Sequence, residues 1–136
     1  MTPFNLNFLD HVAIRVKDMP VSIAWYERIM GLKKHQYEEW GEFPIFMISG
    51  TAGVAIFPAR IKDGTIHKGF NSTFIDHFAF NVSKEDFKKA QDYFNDIGER
   101  FAFQDHHYTH SIYLKDPDNH TVELTTLVVD KSEFYK

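Results

Sequence analysis

The amino-acid sequence predicts an α+β fold: two pseudo-symmetric β-α-β-β-β modules that together form a concave sheet lined with metal ligands. Three observations predict it. Residues 8–17 read FLDHVAIRVK and residues 74–83 read FIDHFAFNVS, the same strand-like phrase 66 positions apart with five of ten positions identical. Each phrase leads into a stretch of helical apolar spacing closed by a glycine, Gly31 or Gly98, and then into three short strand-like runs. Each phrase also carries a histidine, His11 or His77, at a mid-strand position where a sheet usually holds an apolar residue. The period is longer than that of a solenoid and two copies are too few for an array, so a pseudo-symmetric pair is expected.

In the first module, about residues 8–58, Leu9 to Val16 alternates: Val12, Ile14 and Val16 point one way and His11, Ala13 and Arg15 the other. Asp18 is placed to cap a helix beginning near Pro20, a residue tolerated in a first turn, with Ile23, Tyr26, Ile29 and Met30 on its apolar side. Strands are expected at Leu32 to Glu39, Phe43 to Ser49 and Val54 to Phe57, separated by Gly41, Gly50 and Gly53. From Pro58 to Ser72 periodicity fades, and residues 59–73 are expected to link the modules.

The second module, about residues 74–128, repeats the order. His77, Ala79 and Asn81 oppose Phe78, Phe80 and Val82; Ser83 with Asp86 resembles a capping box; Phe87, Ala90, Tyr93, Phe94 and Ile97 mark a helix. Glu99 to Gln104, Ser111 to Lys115 and Thr121 to Val128 are the expected strands, the last two joined by the turn DPDNH at 116–120. Packing each helix on one face of its sheet leaves the opposite faces, with His11 and His77, for a shared concavity.

At 136 residues, 43% hydrophobic and 25% charged, the chain has enough material for one globular domain or two small modules sharing a core. It contains no cysteine, so disulfides and thiolate metal sites are excluded and a transition metal must be held by His, Asp, Glu or solvent. Fe(II) or Mn is favoured for such a donor set, with Zn or Ni as further candidates. No run approaches the ~20 apolar residues of a membrane span, and the first residues lack the features of a signal peptide, so a soluble cytoplasmic protein is expected. A net charge of −4 with scattered Lys and Arg leaves no footprint for nucleic acid. The expected partner is a small-molecule substrate.

In the last strand, Val122 and Leu124 face the packing layer, which sends Thr121, Glu123 and Thr125 to the side of the histidines. His11, His77 and Glu123 then make two imidazoles and one carboxylate, a set that holds a divalent metal on one face and leaves adjacent positions open.

These residues carry a resemblance. The DHVAIRV and DHFAFNV strands, the SIAWYERIMGL helix and the YLKDPDNHTVEL hairpin resemble the vicinal oxygen chelate superfamily, which includes glyoxalase I, bleomycin-resistance proteins, fosfomycin-resistance enzymes and extradiol dioxygenases. The resemblance runs from about Phe8 to Leu127. It implies metal ligands on the first and last strands of the modules, here His11, His77 and Glu123, and a homodimer whose sites form within one chain or between two. At the fourth family position stands Ala55, where glyoxalase I presents a ligand, which argues against that isomerase activity. Glu38, Glu39 and Glu42 are weak substitutes because they lie in another strand or turn. A tyrosine ten residues before the last ligand, here Tyr113, hydrogen-bonds substrate in the dioxygenases and fosfomycin-resistance enzymes. His106, His107 and His110 crowd the preceding strand as candidate bases, imidazole being the side chain that titrates nearest neutral pH.

Three functions follow as expectations. An oxygenase acting on a vicinal diol leads, because three protein ligands leave room for a bidentate substrate and a further molecule. A lyase, epimerase or thiol transferase of the same fold is the alternative, although between Phe103 and Lys115 the only cation besides the histidines is Lys115. The third is a metal-free sequestering protein with an aromatic cleft, for which 14 Phe, Trp25 and Trp40 would suffice.

Overall fold

The computed structural model describes residues 2–61 and 73–135. The chain divides into two compact units, Met1–Gly64 and Thr65–Lys136. Unit 1 contains β1 (His11–Val16), α1 (Met19–Arg28), β2 (Lys33–His35), β3 (Ile45–Ser49) and β4 (Ala52–Pro58). Unit 2 contains β5 (Phe78–Asn81), α2 (Lys84–Ile97), β6 (Ala102–Asp105), β7 (Thr109–Lys115), β8 (Thr121–Leu127) and a short α3 (Lys131–Phe134). The sheets have the same order, β1-β4-β3-β2 and β5-β8-β7-β6, each with one parallel pair, β1 with β4 or β5 with β8, and otherwise antiparallel neighbours. The α+β fold and its doubled β-α-β-β-β order are as the repeat predicts. Most of the expected linker, His67 included, lies outside the described residues.

Local signals place both helices. The Asp18 carboxylate accepts from the Val21 amide at 3.0 Å and Pro20 occupies the first turn of α1. Ser83 Oγ accepts from the Asp86 amide at 3.0 Å, and α2 ends at Gly98, whose φ of 72° lets the Glu99 amide return to the Phe94 carbonyl. The core of unit 1 is Ile14, Val16, Tyr26, Leu32, Met47, Val54 and Ile56; that of unit 2 is Phe87, Phe94, Ile112, Leu114, Val122 and Leu124. These are the packing-layer residues of the alternating strands with the helix residues Tyr26, Phe87 and Phe94 and, before β2, Leu32, each contributing about 1.5–3 kcal/mol by leaving water. The other face of each sheet carries Ala13, Ala55 and Phe46 in unit 1 and Ala79, Glu123 and Tyr113 in unit 2.

Two expectations are corrected. Leu32 to Glu39 is not one strand: only Lys33–His35 pairs with β3, and Glu38–Trp40 forms a 3₁₀ turn. Continuing that register would set Tyr37 against Pro44, which has no N–H to donate. The histidines are not mid-strand, since His11 opens β1 and His77 immediately precedes β5. Pairing starts only where the parallel partner does, at His11 with Gly53 and at Phe78 with Val122, because β4 and β8 have just emerged from their hairpin turns. Beyond the two modules, Lys131–Phe134 forms α3 with Asp130 as its cap.

Two devices fix strand position. The Asp116 carboxylate, fully buried, accepts from the amides of Asp118 and His120 and from His120 Nδ1, locking the DPDNH turn and so the β7–β8 register that sets Tyr113 opposite Glu123. In β4, a side chain at Gly53 would collide with the Met47 carbonyl of β3. Gly53→Ala is therefore expected to cost about 1–3 kcal/mol through forced backbone shifts, read as a lower urea midpoint with an unchanged slope.

Candidate metal centre

In unit 2, β8 carries Glu123 on the face away from α2, and its carboxylate is almost fully buried. His77 reaches it from the start of β5: Nε2 lies 2.9 Å from Glu123 Oε2. The other ring nitrogen, Nδ1, lies 2.7 Å from the carboxylate of Asp76. The Tyr113 ring stands edge-on to His77, centroids 5.7 Å apart. Its hydroxyl is 2.8 Å from His106 Nε2. Burial first, then the negative charge of Glu123, push that hydroxyl above the usual phenol range, so at neutral pH Tyr113 is a donor. A cleft of about 560 Å³ adjoins this tyrosine and is lined by Arg100, Ala102 and Lys115 among others.

Unit 1 repeats the frame with different side chains. His11 Nδ1 lies 2.6 Å from Asp10 Oδ1. Phe46 stands edge-on to His11, centroids 5.1 Å apart, and extends through Trp40 to Tyr37 as an aromatic wall. The registers make the comparison strict. Ala79 pairs with Glu123 and Glu123 with Tyr113; in the first copy Ala13 pairs with Ala55 and Ala55 with Phe46. Ala55 thus occupies the place of Glu123, and Phe46 that of Tyr113. Unit 1 has the histidine and lacks the carboxylate and the phenol at these positions.

Of the residues singled out in the sequence, His77, Glu123, Tyr113 and His106 come together, while His11 lies in unit 1. His107 sits in the β6–β7 turn with φ of 75°, its ring against Tyr108. His110 projects from the opposite face of β7 to Tyr113 and packs on Phe103, with Nε2 3.7 Å from Asp105. Neither is near the His77–Glu123 pair in hydrogen-bonding terms. Among the described residues no three His, Asp or Glu side chains converge as a metal-holding group. The pair that does converge fits a divalent ion by its chemistry: an imidazole nitrogen and a buried carboxylate oxygen aimed at each other, with a second carboxylate engaging the far side of the ring. Asp10, Asp76 and Arg100 were not singled out in the sequence. The first two were legible as the residue preceding each repeated histidine, and Arg100 by its even spacing from Ala102 and Gln104.

Two half-sites on one topology, each opened by an Asp-His pair and one completed by a carboxylate, define a scaffold of duplicated modules, the second of which carries the candidate metal-holding pair. The chain belongs to the glyoxalase/bleomycin resistance protein/dioxygenase superfamily, whose family model matches residues 8–124. It is 27% identical over 132 residues to the metallothiol transferase FosB of Bacillus licheniformis, covering 94% of this chain and 81% of that one. To the glutathione transferase FosA of Serratia marcescens it is 25% identical over 119 residues, covering 88% and 80%. Among solved structures, a glyoxalase/dioxygenase from Nostoc punctiforme superposes with a TM-score of 0.74 at 20% identity, covering 95% of this chain and 97% of the other. The fosfomycin resistance protein FosX of Listeria monocytogenes gives 0.69 at 20% identity, covering 95% and 98%. These structural likenesses concern the fold. No helix among the described residues is long and apolar enough to cross a membrane.

Proposed function

We propose that the chain is a metal-dependent thiol transferase acting on a small anionic substrate that chelates the metal through neighbouring oxygens. The observation that carries this reading is the cleft beside Tyr113, whose charged lining is two cations, Arg100 and Lys115, against one carboxylate, Glu99, next to the tyrosine whose ring meets His77. Arg100, which precedes the segment from Phe103 to Lys115, adds a second cation to Lys115 there. The two curated relatives, both thiol transferases, favour the same reaction class.

In this reading His11, His77 and Glu123 hold one divalent ion, Fe(II) or Mn(II) in preference to Zn or Ni. Bound there, such an ion would polarise a substrate oxygen and stabilise the charge developing on it. The residues of the chain supply the rest. Arg100 and Lys115 attract and orient the anionic part of the substrate, and Tyr113 donates a hydrogen bond to the reacting oxygen. A carbon–sulfur bond forms as a carbon–oxygen bond breaks, and the proton released by the thiol ends on the freed oxygen, with His106 and Tyr113, 2.8 Å apart, as its carriers. The chain works as a homodimer in the cytoplasm.

The test uses Mn(II)-loaded protein with fosfomycin and either glutathione or cysteine, followed by mass spectrometry. A thiol adduct is expected; no adduct with either thiol counts against the transferase. A second reading, an oxygenase acting on vicinal diols, is favoured by Ala55, which leaves three protein ligands, and by the His106–Tyr113 pair beside them. Dioxygen uptake with catechol, in the absence of any thiol adduct, would select it. Under either reading, methylglyoxal with glutathione should give no isomerase turnover, because the fourth ligand is missing at Ala55.

A further inference from the structure

The two repeated histidines share a partner that the proposed chemistry does not use. His11 Nδ1 is 2.6 Å from Asp10 Oδ1, and His77 Nδ1 is 2.7 Å from Asp76 Oδ2. Consecutive side chains in a regular strand point to opposite faces, so an aspartate should not reach the ring of the histidine that follows it. Here it does so twice, because both aspartates lie just outside the regular strand, where the backbone has not taken up the pleat. The Asp10 carbonyl still accepts from the Gly53 amide, so the backbone is anchored while the carboxylate curls back. The same contact, made on the same ring nitrogen in both copies, is independent of everything else that differs between them.

We propose that Asp10 and Asp76 are positioning residues that fix the proton of His11 and His77 on Nδ1 and leave each Nε2 lone pair, on the far side of the ring from the aspartate, as a metal-ligand donor. A neutral imidazole carries one proton, and the hydrogen bond made by one nitrogen decides which nitrogen is left bare. A carboxylate accepting from Nδ1–H leaves Nε2 as the donor atom, restricts ring rotation and raises the basicity of the ligand. In unit 2 the Nε2 so exposed is the atom that faces Glu123 at 2.9 Å.

The inference rests on the proposed three-ligand site only in its affinity arm, and the experiment separates the two. Long-range ¹H–¹⁵N spectra of metal-free protein in alkaline buffer report which nitrogen of His11 bears the proton. His11 is the cleaner probe because His77 faces carboxylates on both sides. The wild-type ring and that of Asp10→Asn, whose amide oxygen still accepts, are expected on Nδ1–H, whereas Asp10→Ala should move the proton to Nε2. In the second arm, Mn(II) titration should show about tenfold weaker binding for Asp10→Ala and for Asp76→Ala. This is the low end of the effect of such partners, because the carboxylates are 69% and 77% exposed. The Asn variants should recover most of that loss, which a merely structural role would not produce. An unchanged His11 tautomer in Asp10→Ala overturns the proposal, as does unchanged affinity in both alanine variants. If the wild type binds no Mn(II), the three-ligand reading fails, and the tautomer still decides whether the aspartate sets the ring.

Discussion

His77→Ala and Glu123→Ala should each remove tight divalent binding, by more than about 100-fold in Kd. The magnitude follows from the outer partners of metal ligands, which already carry 10–100-fold, so a ligand itself must exceed that range. The losses have different origins. Removing His77 takes away the nitrogen and leaves a buried carboxylate that has lost its imidazole neighbour at 2.9 Å; removing Glu123 takes away the only charged donor of the set. His35→Ala is the control, since His35 lies on the exposed edge strand β2, where its backbone pairs with Phe46 of β3. Calorimetric titration of the three variants with Mn(II) reads all of this, and tight binding retained in both site variants would remove the metal centre from the account.

Tyr113→Phe should lower kcat by about 10²-fold while leaving Mn(II) affinity unchanged, the pattern of a group acting on substrate and not on the ion. Unit 1 contains the corresponding natural replacement: Phe46 holds the same register place beside His11 and keeps the edge-on ring contact without the hydroxyl. The substitution is therefore expected to leave the sheet intact. The sign of the pH effect is fixed by burial and by Glu123, which both raise the hydroxyl above its ordinary value of about 10. The donor form thus persists through neutral and mildly alkaline buffer, and no loss of rate attributable to Tyr113 is expected there. His106→Ala should reproduce part of the kcat defect, while His110→Ala, on the opposite face of β7, should not. A kcat unchanged in Tyr113→Phe would assign this residue to the sheet alone.

Much of this arrangement was legible in the residues. The repeated phrase was enough to give two modules of one topology, and alternation in β8 was enough to turn Glu123 toward the side of His77. Tyr113 came beside them only through the resemblance to the superfamily, and the β7–β8 register sets it opposite Glu123. Where the reading failed, the missing information was not periodic. Which of His106, His107 and His110 meets Tyr113 depends on a turn: His106 continues the even-numbered face of β6, His107 takes a positive φ, and His110 re-enters β7 on the other face. Strand ends were misplaced because a strand lasts only as long as its partner, and the partner lies far away in sequence. The Asp10 and Asp76 contacts depend on those ends. A regular strand through Asp-His forbids them, and the early end of pairing permits them.

The central claim, that His11, His77 and Glu123 hold a single ion, is tested most directly by pulsed EPR of the Mn(II)-loaded chain, which counts the nitrogen nuclei coupled to the metal. Two imidazole nitrogens are expected in the wild type and one in His11→Ala. A single nitrogen in the wild type, unaffected by His11→Ala, would contradict the claim and leave unit 1 without a place in the site.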